Sequence, residues 1–232
     1  MINPLLDINK YKDIYNSKKI VVIKDFLSQD IAGKIYKYLH FQKKKKSWMY
    51  SNCYDNKKSD LQNKDSKIKA IIMHQQKANM AFNMDKFSFS FERTLNGTGK
   101  KKLKPNTEDF TKFLFTQDKM IETINAITDE NITNAHDIFM SKYSYGNFLS
   151  PHSDKNNGRI AFVLNLSYGW KPQYGGLLHI MNQERDEVIK TITPQYNSLV
   201  LFYIPKETGI PHFVSHVNIR NRNRYAITGW FS

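Results

Sequence analysis

Residues 136–144 (HDIFMSKYS), 159–167 (RIAFVLNLS), 176–182 (GLLHIMN), 187–192 (EVIKTI), 198–204 (SLVLFYI), 211–219 (PHFVSHVNI) and 224–231 (RYAITGWF) are short runs rich in β-branched and aromatic residues. Gly, Pro, Asn and Asp separate them. Seven such runs within about a hundred residues predict antiparallel strands closed into a sandwich or barrel, since none is long enough or suitably periodic for a helix. The fold class is therefore mainly β with flanking helices.

Upstream the texture is different. Ile20 to Ile23 reads as a short buried strand, and Ser28 can cap a helix whose apolar residues Ile31, Ile35, Tyr38 and Leu39 recur at helical spacing. Lys43 to about Lys69 is polar, lacks a period, and predicts a long irregular excursion. Ala70 to Met84 can be helical, and Phe87, Phe89 and Phe91 alternate with polar residues as a half-buried strand does. Asn96 to Asn106 carries loop punctuation, and a further helix is expected from Thr107 or Glu108 through Ile127. The expectation is one domain over residues 1–232, with helical support and variable loops over about 1–135 and the β core over about 136–232.

The chain of 232 residues is 40% hydrophobic and 13% aromatic, which excludes a disordered chain. No apolar run spans a bilayer and the N-terminus lacks a signal-peptide layout, so the expected setting is cytoplasmic, with no membrane partner. Cys53 alone cannot form an internal disulfide or a thiolate metal site. The net charge of +14 is unevenly spread, with 23 basic against 11 acidic residues in 1–110 and 12 against 10 in 111–232. The densest runs, Lys43 to Lys46 and Lys100 to Lys104, fit a solvated face in a chain heavy in Lys, Asn and Ile better than a polyanion surface. A nucleic-acid partner is the less favoured reading.

The chemistry concentrates in the β-rich half. His152 and Asp154 stand at i and i+2, so on an extended chain both side chains project to one face. A later strand supplies another imidazole. Two imidazoles and one carboxylate make the facial triad of non-haem Fe(II) oxygenases, which leaves open positions on the metal. The segment PHFVSHV offers His212 and His216, which about 13 Å of extended chain would separate, so only one of them can serve. A hairpin centred near Asn218 would bring His212 opposite Arg224, and one near Arg220 would do the same for His216. Pairing alone leaves both open. Arg224 stands among apolar strand residues with nothing acidic nearby, and its planar fork suits bidentate binding of a cosubstrate carboxylate. His40, His74, His136 and His179 lack ligand spacing.

Five stretches together resemble the Fe(II)- and 2-oxoglutarate-dependent dioxygenases, specifically the prolyl 4-hydroxylase-like branch. They are Tyr143 to Asp154 (YSYGNFLSPHSD), Arg159 to Ile180, Pro194 to Phe202, Pro211 to Val217 and Arg224 to Phe231. The resemblance implies a double-stranded β-helix, a jelly-roll or cupin-like core. It implies Fe(II) on His152, Asp154 and His212, the last favoured over His216 by Val214 and Val217. It also implies 2-oxoglutarate held at its far carboxylate by Arg224, with Tyr143 and Thr228 adding hydroxyls and ascorbate as a supporting reductant. Asn165 and Leu166 stand where many relatives carry Tyr. The implied activity is hydroxylation of a C–H bond, foremost of a prolyl residue in a protein or peptide. The alternatives are a catalytically silent binding module on the same fold, or an oxygenase acting on a nucleic acid or small metabolite.

Overall fold

The computed structural model describes residues 1–41, 48–62, 68–94 and 114–232. The lysine runs at 43–46 and 100–104, the loop read at 96–106 and the start of the helix read from 107 lie outside them. Helices α1 (Ile8–Lys18), α2 (Gln29–Phe41), α3 (Ile68–Phe82) and α4 (Asp118–Thr128) accompany twelve strands. These are β1 (Ile20–Ile23), β2 (Trp48–Tyr54), β3 (Lys57–Gln62), β4 (Phe89–Thr94), β5 (Ala135–Tyr143) and β6 (Phe148–His152), followed by β7 (Ile160–Asn165), β8 (Leu178–Met181), β9 (Val188–Ile192), β10 (Ser198–Tyr203), β11 (His212–Val214) and β12 (Arg224–Phe231).

All pairings are antiparallel, and the sheet runs in the order β1-β10-β7-β12-β5-β4-β6-β11-β8-β9, with β2 pairing β4 and β3. The sheet curls into a jelly roll. Strand β4 makes the corner, since Glu92 and Arg93 pair with β5 while Phe89 and Ser90 pair with β6. From β5 onward the chain therefore alternates between layers except at the β8–β9 hairpin, so β11 pairs β6 and β8, while β12 pairs β5 and β7. Neither hairpin between the PHFVSHV segment and Arg224 exists. Strand β11 also stops at Val214, so His216 does not share a strand with His212.

Period-2 alternation places one set of side chains against the helices and the other inside the roll. On β7, Ile160, Phe162 and Leu164 join the helix-facing core, while Ala161 and Val163 face inward. Strand β10 divides the same way, with Leu199 and Leu201 outward and Val200 and Phe202 inward. The outer core is completed by Tyr15 of α1, Ile35 and Leu39 of α2, and Ile124 and Ile127 of α4.

Two departures from the sequence reading have local causes. Residues 48–62 form the β2–β3 hairpin rather than an irregular excursion, because Asp55 and Asn56 take left-handed backbone angles (φ 51° and 58°) that reverse the chain in two residues. Those residue types accept positive φ, but the strands flanking them are too polar to show a hydrophobic alternation. Helix α1 was also missed. Its signal is Asp7, whose side chain accepts from Lys10 N at 3.0 Å and caps the first turn. Elsewhere α3 begins two residues before the expected position, and of the alternating Phe run Phe89 and Phe91 lie in β4 while Phe87 precedes it.

Phe162 is fully buried and lies 4.3 Å from the Phe115 ring and 4.8 Å from Phe231, centroid to centroid. Replacing it with Ala should lower unfolding stability by about 3–5 kcal/mol through a cavity between sheet and helices. Chemical denaturation followed by fluorescence measures this directly, and a loss under 1 kcal/mol would contradict the packing described.

Candidate metal and cosubstrate site

Antiparallel pairing of β11 with β6 sets His212 directly across from His152, and Asp154 follows two residues after β6 ends. The ring centroids are 4.2 Å apart. Asp154 Oδ1 lies 3.7 Å from His152 Nε2, and its Oδ2 lies 3.5 Å from His212 Nε2. One ligand atom from each of the three residues falls within 4.8 Å of the others. The set is well shielded, with side-chain exposures of 19%, 12% and 7% for His152, Asp154 and His212.

Both imidazoles are oriented by main-chain carbonyls. His152 Nδ1 lies 3.0 Å from Ser150 O, and His212 Nδ1 lies 2.8 Å from Ile210 O. A carbonyl oxygen only accepts, so each Nδ1 carries the proton and each Nε2 turns a lone pair toward Asp154. Burial, and then the neighbouring His212, push the His152 pKa down to about 4, so that ring is neutral at ordinary pH. Two neutral imidazole nitrogens and one carboxylate are the donor chemistry a non-haem Fe(II) site uses.

The interior of the roll holds a cavity of about 120 Å³ that reaches from these three residues to Arg224, Tyr143 and Thr228. Apart from Ser141 and the Trp230 indole, its remaining wall is apolar, with Leu149, Val163, Leu178, Phe202 and Val214 among the lining side chains. Arg224 is only 3% exposed, and among the described residues no carboxylate pairs with it. Its Nε has no hydrogen-bond partner, and burial pulls its pKa down. The guanidinium sits 5.0 Å over the ring of Tyr143, its cross-strand partner on β5. A cation held over an aromatic face but lacking an anion fits a ligand that brings its own carboxylate.

Tyr143 stacks on Phe91 at 4.8 Å, and burial pushes its pKa up to about 12 despite the nearby guanidinium, so it remains a neutral hydroxyl. Thr228 lines the cavity, but its hydroxyl proton is donated to Phe162 O at 2.9 Å. Asn165 lies outside this lining; its Nδ2 is 3.3 Å from Ser198 Oγ. His216 stands apart from the triad, stacked on Phe148 at 4.2 Å with its Nε2 2.8 Å from Asn79 Oδ1 on α3. His74 contacts Tyr54 and His179 stacks on Phe213, both away from the cavity.

The sequence reading missed Trp230. Its Nε1 is buried without a partner, and the residue lines the cavity on the same face of β12 as Arg224. Counting pleats from Arg224 through Ala226 and Thr228 would have found it. The bulge between Thr228 and Trp230 lies on β5, where Asp137 takes φ 48° and the strand carries one extra residue, so the alternation of β12 is undisturbed.

With the geometry established, comparison with known proteins is informative. Residues 138–232 match the 2OG-Fe(II) oxygenase superfamily. The prolyl 3-hydroxylase OGFOD1 of Xenopus laevis is 31% identical over 113 residues, which are 47% of this chain and 22% of that protein. Mouse OGFOD1 is 32% identical over 100 residues, 41% of this chain and 18% of that protein. The match thus spans about a fifth of the length of these curated relatives. A Pseudomonas putida prolyl-4-hydroxylase crystal structure superposes with a TM-score of 0.61 and 18% identity, covering 97% of both chains. A Trichoplax adhaerens prolyl hydroxylase, solved with a peptide fragment of a hypoxia inducible factor, gives a TM-score of 0.59 at 19% identity, over 97% of this chain and 88% of that one. Residues 138–232 therefore resemble a 2OG-Fe(II) oxygenase core, and the chain as a whole shares the fold of solved prolyl hydroxylase structures.

The lone buried cation yields a stability prediction. Arg224→Met keeps the volume and removes the charge, so the ligand-free protein should gain about 1–3 kcal/mol. A thermal or urea melt of the ligand-free variant checks the sign. Marked destabilisation would mean that the guanidinium is already satisfied.

Proposed function

We propose that this chain is a dioxygenase that uses Fe(II) and 2-oxoglutarate to hydroxylate a prolyl residue in a protein or peptide. The observation that carries the reading is a shielded His152–Asp154–His212 cluster sharing one apolar cavity with an unpaired arginine. The likeness to OGFOD1 and to prolyl hydroxylase structures supports the substrate class. The family match supports the metal and the cosubstrate. A single free cysteine and no helix long enough to cross a membrane among the described residues accompany the cytoplasmic setting we propose. Ascorbate as supporting reductant belongs to the same reading.

When bound, Fe(II) and 2-oxoglutarate would activate dioxygen, the oxidant, one oxygen atom entering succinate as carbon dioxide is lost and the other entering the substrate C–H bond as hydroxyl. The chain does the positioning. His152 and His212 offer preoriented Nε2 lone pairs and Asp154 adds the one anionic oxygen, and these three residues would hold the metal. Arg224 grips the distal carboxylate of the cosubstrate, with the neutral Tyr143 hydroxyl beside it. The low dielectric of the wall strengthens that grip. Val163, Leu178, Phe202 and Val214 exclude water from the reacting centre, which limits unproductive oxidation.

The purified protein is expected to convert 2-oxoglutarate to succinate only with Fe(II), and Asp154→Ala should abolish turnover by removing the anionic ligand. Succinate release measured with and without a thorough chelation step decides it; undiminished turnover after chelation would refute the reading. The choice between histidines is tested separately by titrating Mn(II) into alanine variants. His212→Ala should lose metal affinity by at least about tenfold, whereas His216→Ala should retain it and show only reduced stability. The reverse pattern would reassign the third ligand.

A further inference from the structure

A second concavity, of about 240 Å³, opens on the outer surface and shares no lining residue with the cavity described above. It lies at the far end of β7 from the Asp154 loop, where Ser167 and Tyr168 leave the strand and residues 221–223 lead into β12. Arg224 and Tyr225 point in opposite directions there, the arginine into the cavity and the tyrosine into this groove.

The groove is built from flat rings. Tyr36 and His40, one turn apart on α2, stack at 5.4 Å and 19°. Tyr168 is 68% exposed and packs edge-on against Tyr196 at 5.5 Å, while Tyr196 meets Tyr36 at 5.7 Å and 86°. The contacts among Tyr36, Tyr168 and Tyr196 hold a large aromatic surface open to solvent. None of the lining residues is acidic. Arg222 lines the groove with its guanidinium 5.6 Å over Tyr174, and Asn221 supplies an amide beside it, while the Asn223 amide accepts from Ser144 Oγ and donates to the Tyr225 hydroxyl. Lys37 follows Tyr36 and Lys171 follows Trp170, so cations also border the aromatic residues in the chain. Among the described residues none of Lys37, Lys171, Arg220 and Arg222 enters an ion pair.

We propose that this groove binds a single-stranded nucleic acid, stacking unpaired bases on Tyr168 and its neighbours and seating phosphates on Arg222 and the flanking cations. Every base has a π-face, so exposed tyrosines accept bases without reading sequence, and arginine planes and asparagine amides add hydrogen bonds to base edges. Unpaired cations suit phosphates and give salt-dependent affinity. A proline-rich peptide would use the rings but would leave the unpaired cations without a role. The proposal is independent of the substrate of the catalytic cavity. It places nucleic-acid contacts on this groove, in contrast to the expectation drawn from the lysine runs, where such a partner was disfavoured.

The test is fluorescence anisotropy with labelled oligouridine and oligothymidylate of about 12 nucleotides, at several salt concentrations on the full chain. Tyr168→Ala should weaken binding about tenfold, and Tyr168→Trp should restore it. Because Tyr168 is largely exposed, both variants are expected to fold, and unchanged 2-oxoglutarate turnover verifies that. Arg222→Gln should lower the slope of log affinity against log salt by about one. A preference for the ribo-oligomer would point to RNA and its 2′-hydroxyls, and equal binding to a backbone-and-stacking mode; both support the proposal. It is overturned if neither oligomer binds, if the Tyr168 and Arg222 variants bind like the wild type, or if only an oligoproline peptide responds to Tyr168→Ala.

Discussion

Strands β7, β10 and β12 must bury both of their faces, and the rest of the molecule follows from that requirement. Odd and even side chains along each strand meet different surroundings, helices on one side and the cavity on the other. A slip of one residue would send Arg224, Ala226 and Thr228 into the helix layer and Tyr225 and Ile227 into the cavity. Helix packing thus fixes the register, and the register aims the arginine. The same alternation carries on to Trp230, because the bulge lies on β5 and β12 stays in regular register with β7.

The triad depends on a different pairing, because β6 and β11 lie in the opposite layer of the roll. His152 and His212, sixty positions apart in the chain, come together across one ladder, and Ser150 and Ile210 carbonyls turn each ring by local contacts within two residues. Local backbone geometry therefore chooses the nitrogen, while long-range topology brings the nitrogens together. Stability and reactivity pull apart at Arg224, whose buried charge opposes folding in the ligand-free protein and suits an anionic cosubstrate.

Much of this was legible from residues alone. The strand runs, the H-x-D pair and Arg224 stand out because period-2 patterning and isolated charge are local properties. The choice between His212 and His216 was not local, since it turned on which layer each strand joins, and the imagined hairpin to β12 was wrong for both. His216 serves the packing of α3 through Phe148 and Asn79, contacts with residues far away in sequence. The β2–β3 hairpin escaped notice because its strands bury mixed side chains, including Ser51 and Asn52, and so carry no alternating hydrophobic signal. The surface groove was invisible for the same reason: Tyr36, Tyr168 and Tyr225 come from three separate segments.

The arginine over Tyr143 also bears on how long the protein persists. A dianion that reaches it becomes part of the core and favours the folded chain by mass action, by about 2.7 kcal/mol when present at a hundred times its dissociation constant. Local opening around β12 would then be suppressed in proportion to that occupancy, so a single buried charge couples the resistance of the fold to proteolysis to the ligand it holds.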